Sequence, residues 1–433
     1  MAFVKVASQS PAGNARARKS AGDAVNPKLT LTCSTGGFGY CSTHVNALRS
    51  LDVSVHFSES EMAARKARLL TEMQAQRLDG LLLFNQESMF WLTGYDSFGF
   101  CFFQCLYMSS TGDMALLTRS ADLRQAQHTS NLSDIRIWKD AAAANPAVDL
   151  CAMLEDLGAK RRLGIEADAY GLTHFNGKRV EAALGGFKLI DASRLVSQLR
   201  VTKSEQELVF VSEAARLSDL ADAAAIEALC AGVNEGEILA AQHTAIFANG
   251  GDYPANEFII GSGRDALLCR YKSGRRALSA EDQITLEFAG VYRHYHAALM
   301  RTHIVGKPRA LHLAYHAAAQ EALLACEAEI KPGRTAGDVF AAHAIVFDRH
   351  GLNAHRLNAC GYALGAKFTP SWMDAPMFYE GNDFVLGENQ VYFAHMILMD
   401  SSTETAMCLG RTSVTTASGS RALNAPDLSL VVR

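Results

Sequence analysis

The chain has 433 residues, 49% of them hydrophobic and 20% charged, with 41 Lys+Arg against 45 Asp+Glu for a formal net charge of −4. This length exceeds the usual reach of one hydrophobic core, so two domains are expected. Balanced charge leaves no footprint for nucleic acid or an anionic membrane, high apolar content excludes a wholly disordered chain, and no apolar run approaches the ~18 residues of a membrane span.

Ten cysteines without a C-x-x-C pair predict reduced thiols in a cytoplasmic protein. The first twenty residues carry Lys5, Arg16, Arg18 and Lys19 but no apolar segment, so a secretory signal is not expected. Residues 1–55, dominated by Ser, Gly, Asn and Thr, predict a disordered extension. An acid-rich helix start follows at Ser58-Glu59-Ser60-Glu61; Met62, Leu69, Leu70 and Met73 recur at helical spacing, and Asp79-Gly80 ends the run. Leu81–Phe84 reads as a strand covered on both faces. Strand-like runs at Met114–Thr118, Leu163–Glu166 and Phe187–Ile190 then alternate with helix-like ones at Ala147–Leu157 and Leu172–Leu184. That alternation predicts an α/β domain over residues 56–201.

A second helix start at Thr202-Lys203-Ser204-Glu205 opens a long helix to Ala231, followed by another at Glu235–Phe247. Strands at Phe258–Gly261 and Ile284–Phe288, helices at 310–329 and 337–350, and a strand at Gln390–Met399 complete an α+β domain over 202–433. The segment from Ile284 to Thr302 carries the most chemistry. Ile284, Leu286 and Phe288 alternate with Thr285, Glu287 and Ala289, which sets one carboxylate among apolar neighbours. Gly290 predicts a turn, and Tyr292, His294 and His296 then share a face of the returning strand. Glu287, His294 and His296 form a candidate acid–base set; a hydrogen-bond network stapling the hairpin is the alternative. His395, flanked by apolar residues in Tyr392–Ile397, reads on its own as a core histidine.

This segment resembles the metal-binding hairpin of the creatinase/aminopeptidase P superfamily, the pita-bread fold. Ile330-Lys331-Pro332-Gly333, Gly361-Tyr362-Ala363-Leu364-Gly365 and Phe90–Tyr95 extend the likeness over residues 58–420. The resemblance implies an α/β N-terminal domain plus an α+β pita-bread (creatinase-like) C-terminal domain and a homodimer, with Gly94–Cys105 reaching the partner's pocket. Dimetal members use Asp, Asp, His, Glu and Glu. At those positions stand Glu287, Ala298, Tyr362, His395 and, in uncertain register, Gly410 or Arg411. One remaining carboxylate is too little negative charge for two divalent cations, so no metal and no other cofactor is expected.

Gly250–Ala255 and the Glu287–His296 stretch are similar to the metal-independent, ectoine hydrolase-like branch, and with that likeness Asp252, Tyr253 and His395 are expected among the substrate-binding residues. That likeness implies Glu287 as nucleophile on an amidine carbon, with His294 or His296 moving protons. Arg270 stands where relatives carry a catalytic His; it suits a substrate carboxylate, unless it pairs with Asp252, Asp265 or Glu287. Asp374 is expected to hold a cationic group near the pocket, or else to be an ordinary loop carboxylate, and Trp372, Tyr362 and Tyr379 offer ring faces for an amidinium. The expected function is metal-independent hydrolysis of a C–N bond in a small zwitterion. The alternatives are a metal-dependent Xaa-Pro peptidase and a catalytically inactive small-molecule-binding paralogue.

Overall fold

The computed structural model describes residues 55–425 and 427–433; the extension expected over residues 1–55 lies outside them except for Val55. The Ser58 hydroxyl accepts from the Glu61 N–H at 3.2 Å and starts α1 (Glu59–Ala75), which buries Met62, Leu69 and Met73. There follow β1 (Gly80–Leu83), α2 (Gln86–Thr93), β2 (Cys105–Ser109), β3 (Met114–Arg119), α3 (Leu123–Thr129) and β4 (Asp134–Trp138). Next come α4 (Pro146–Asp156), β5 (Arg162–Ile165), α5 (His174–Ala183), β6 (Lys188–Asp191) and α6 (Leu195–Val201). Their strands form a mixed sheet in the order β4-β3-β2-β1-β5-β6, with every residue of β1 buried as its continuous apolar run requires. Just past β5, the buried Glu166 accepts from the Phe84 and Asn85 N–H groups and from the Ser88 hydroxyl, fastening the start of α2.

The second half opens with α7 (Glu205–Ala228), whose Ser204 and Glu207 form a capping box, and α8 (Glu235–Phe247). Then come β7 (Ile259–Ser262), β8 (Asp282–Tyr292), β9 (Tyr295–Val305), α9 (Ala310–Glu329), α10 (Ala336–Arg349), β10 (Ala359–Ala363) and β11 (Asp374–Tyr379). The chain ends with β12 (Val391–Asp400), β13 (Thr405–Thr416) and β14 (Gly419–Ala422). These strands make one sheet, β11-β10-β12-β13-β9-β8-β7 with β14 beside β13. Helices α7 and α8 cover one side of it, and α9 and α10 pack on β12, β13 and β11.

Two expectations about the central hairpin are corrected. Gly290 is no turn, and Tyr292, His294 and His296 do not share a face of the returning strand: β8 runs on to Tyr292, the reversal is the two-residue loop Arg293-His294 between the paired Tyr292 and Tyr295, and of the three only His296 lies on β9. Both loop residues sit in the left-handed region, at φ 50° and 66°, as a tight hairpin turn of this length demands. Gly290 serves a close approach instead. A Cβ there would lie 2.0 Å from the Ala214 carbonyl oxygen and 2.4 Å from the Ser218 nitrogen, so α7 rests directly on β8. The described cysteines are free thiols; Cys101 and Cys230 are exposed, and Cys105, Cys326, Cys360 and Cys408 are buried. Among the described residues no helix is long and apolar enough to cross a membrane.

The two sheets are bridged by buried charges. Arg65 of α1 reaches Glu61 at 2.9 Å and Glu207 of α7 at 3.5 Å, and the Tyr295 hydroxyl donates to the same Glu207 at 2.7 Å. Lys367 pairs with Glu87 of α2 at 3.0 Å, and Arg200 of α6 with Asp374 at 2.9 Å. Because the Gly290 contact is backbone against backbone, Gly290→Ala is expected to cost about 3 kcal/mol or more of unfolding free energy, read by urea denaturation.

Candidate active site

Register places the site. Across the ladders His395 of β12 faces Gly410 of β13, Gly410 faces Met300 of β9, and Met300 faces Glu287 of β8. Directly opposed residues share a face, so these four form one row across the sheet. Ala298 lies two residues along β9 from Met300, and Tyr362 of β10 faces Phe393, two residues from His395. All five positions matched to the dimetal ligands therefore meet on one face. Of the two residues considered for the last position, Gly410 lies on this face. Arg411 turns to the opposite face and binds Glu327 of α9 at 2.7 and 2.8 Å.

Glu287 is 8% exposed. The Tyr362 hydroxyl donates to its Oε1 at 3.2 Å, and the Trp372 indole N–H donates to the Tyr362 oxygen at 2.9 Å. Burial pushes the Glu287 carboxyl up to about 7, against the opposing pull of the Tyr362 hydrogen bond and the Arg270 charge. His395 lies beside this chain, its ring 5.6 Å from that of Tyr362, and its Nδ1 is buried without a hydrogen-bond partner. Burial lowers His395 to about 4, so it is neutral at pH 7. Arg270 is exposed; its guanidinium donates to the Cys269 carbonyl and makes no ion pair with Asp252, Asp265 or Glu287 among the described residues. It still acts electrostatically on Glu287, Tyr362 and His395.

Several expected site residues have other employment. His296 is fully buried, donates from Nδ1 to the His294 carbonyl at 2.8 Å and accepts at Nε2 from the Ala255 N–H at 3.0 Å. Both nitrogens are spent on backbone and burial lowers its pKa to about 3, so it is a strut and not a proton carrier. His294 belongs to the turn, bound to Asp96 at 2.9 Å and stacked on Phe368 with centroids 4.1 Å apart. It lines a cavity of about 590 Å³ with Asp96, Phe98, Tyr253, Lys367 and Phe368, and Glu287 does not line that cavity. Asp252 accepts from the Arg293 N–H and braces the same turn. Tyr253 is 81% exposed. Asp374 is engaged by Arg200; burial raises its carboxyl, but Arg200, Lys367 and Lys203 together hold it below the usual range. Tyr362 does reach Glu287 and Trp372 reaches Tyr362, but at 3% and 1% exposure they bring a hydroxyl and an N–H, not open ring faces.

Sequence reading missed Met300, whose apolar side chain faces Glu287, and the thiols of Cys269 and Cys408, which share the electrostatic surroundings of Glu287. Strand alternation assigns faces but not cross-strand partners, so only the register reveals them.

As a cation cage the set does not fit. Ala298 and Gly410 have no donor, Tyr362 is a phenol whose proton is held on Glu287, and only Glu287 and His395 remain. Among the described residues no three His, Cys, Asp or Glu side chains are grouped to hold a metal ion. Since the buried Glu287 holds its proton more tightly than in the unfolded chain, stability falls as pH rises from about 4.5 to about 7 and is level above. Glu287→Gln, which removes that term, should gain on the wild type over this window, by on the order of 3 kcal/mol at the plateau, in urea titrations at several pH values.

Comparison with known proteins matches residues 65–202 to the creatinase/prolidase N-terminal domain and residues 210–412 to metallopeptidase family M24. An uncharacterised hydrolase/peptidase, y4tM, of Sinorhizobium fredii is 27% identical, covering 88% of this chain and 99% of its own. The ectoine hydrolase of Halomonas elongata is 26% identical, covering 80% of this chain and 91% of its own. Among solved structures, the dipeptidase PepE of Mycobacterium ulcerans superimposes with a TM-score of 0.76 at 22% identity, covering 87% of this chain and 99% of that one.

Proposed function

Because this chain belongs to the creatinase/aminopeptidase P, or pita-bread, superfamily of hydrolases, we propose that it hydrolyses a C–N bond in a small zwitterion without a metal ion, using Glu287. The observation that carries this reading is the single carboxylate, hydrogen-bonded by a tyrosine, in a row whose other family positions are Ala298, His395 and Gly410. Likeness to ectoine hydrolase supports the substrate class: an amidine, guanidine or cyclic amide that also bears a carboxylate.

The chemistry follows from the residues. Oε2 of ionised Glu287 adds to the electrophilic carbon of the protonated substrate, the C–N electron pair moves to nitrogen, and that nitrogen departs with the proton the substrate carried in. Water then attacks the resulting acyl-type bond and returns the free carboxylate. His395, neutral and with one nitrogen unpartnered, takes over the proton handling first expected of His294 and His296. Arg270, at the exposed edge of the site and without a carboxylate partner, receives the substrate carboxylate.

A metal-dependent Xaa-Pro peptidase is the competing reading, favoured by the M24 match and the likeness to a dipeptidase. Elemental analysis separates the two. Purified protein should carry less than one equivalent of Mn, Zn, Co or Fe, and two bound equivalents would establish the peptidase instead. Turnover is to be sought among osmolytes, creatine-like compounds and proline dipeptides that raise the melting temperature. On the substrate so found, kcat/KM should rise with pH through about 7 as Glu287 ionises, and Glu287→Gln should lower kcat at least about a thousandfold. Near-wild-type turnover by that variant would remove Glu287 from the chemistry.

A further inference from the structure

We infer that Tyr362, held in place by Trp372, is the positioning residue of Glu287: its hydroxyl claims Oε1 and leaves Oε2 as the oxygen presented to substrate. The inference rests on the reading of Glu287 as the reacting carboxylate. An indole N–H can only donate, so the Trp372 contact at 2.9 Å fixes the Tyr362 oxygen as an acceptor. The phenolic proton then has one described partner, Oε1 of Glu287 at 3.2 Å, and the direction of the whole relay is set. No described residue hydrogen-bonds Oε2.

The relay is itself anchored and enclosed. The Trp372 backbone N–H donates to the Asn256 side chain at 3.0 Å, and the indole lies against Phe258 and His296, with centroids 6.4 and 6.2 Å away. The Tyr362 ring packs edge-on against Phe393 at 5.5 Å. Neither side chain has room to swing away, since both are buried and Tyr362 sits on a strand paired to β12 on one side and β11 on the other. The carboxyl plane is thereby held by one oxygen. The same bond favours the ionised form of Glu287 against the cost of burial, so removing it makes the nucleophile scarcer as well as less ordered.

Isotope-edited infrared titration of the Glu287 carboxyl, with the band assigned by its loss in Glu287→Gln, tests this on the full chain without any substrate. Tyr362→Phe should move the midpoint upward by about one pH unit. Trp372→Phe should move it upward by less, and should add nothing in a Tyr362→Phe background. If Tyr362→Phe does not fold, 3-fluorotyrosine at position 362, a more acidic donor, should move the midpoint downward. An unmoved midpoint in the variant that folds, or an equal Trp372→Phe shift with and without the Tyr362 hydroxyl, would overturn the inference. Either result is readable whether or not Glu287→Gln abolishes turnover, so the positioning role and the hydrolase reading fail separately.

Discussion

The eleven-pair ladder between β8 and β9 is the constraint from which the rest of the site follows. Side chains alternate faces along a strand, so a slip of one residue would carry Glu287 to the opposite face and dissolve the row it shares with Met300, Gly410 and His395. The turn that locks this register is made of two residues other than glycine, Arg293 and His294, both left-handed. Such a turn persists only when its surroundings over-determine it. Asp252 holds the Arg293 N–H, Asp96 and Phe368 hold the His294 ring, and His296 ties the start of β9 back to Ala255. Two histidines and two aspartates are thus consumed in fixing where one glutamate points.

Much of the architecture was legible in the chain. The helix over 235–247 and that over 310–329 coincide with their apolar periodicity, and both sheets lie where strand-like runs alternate with, or give way to, helical ones. The hairpin turn was misplaced because glycine has two uses, reversal and close approach, and a sequence does not say which. Gly290 has the second, under α7. The site was legible in its members but not in their roles. Glu287, Tyr362, Trp372 and His395 do converge, yet a histidine saturated by backbone and a histidine with an idle nitrogen look alike in sequence. Asp374 likewise shows no sign of Arg200, 174 residues earlier, until the fold brings them together. Which of Gly410 and Arg411 shares the face of Glu287 was open in the sequence, and the β12–β13 pairing shows that it is Gly410.

Buried charge is handled in two ways within one molecule. Between the two sheets, each carboxylate meets a cation: Glu207 with Arg65, Glu87 with Lys367, Asp374 with Arg200. There the low dielectric is answered by opposite charge, and breaking one member strands the other. Glu287 is treated differently, for its close polar contact is a neutral phenol while Arg270 acts from the exposed edge. The interlayer acids are structural, each tied to its cation. Like Glu166, which fastens the start of α2 without a cation partner among the described residues, Glu287 is raised to about 7, where a small change in its surroundings moves a proton, which is the condition acid–base and nucleophilic chemistry requires.

Gly410 limits what this row of the sheet can accept. A side chain begun there would place its first carbon 2.8 Å from the Ala394 carbonyl oxygen and 3.0 Å from both Cα and Cβ of His395. Strand β12 therefore leaves no room for a side chain at 410 unless main chain shifts. Any acid introduced there would push against backbone before it could extend over the face that Glu287 and His395 share, so the sheet itself holds that row to a single carboxylate.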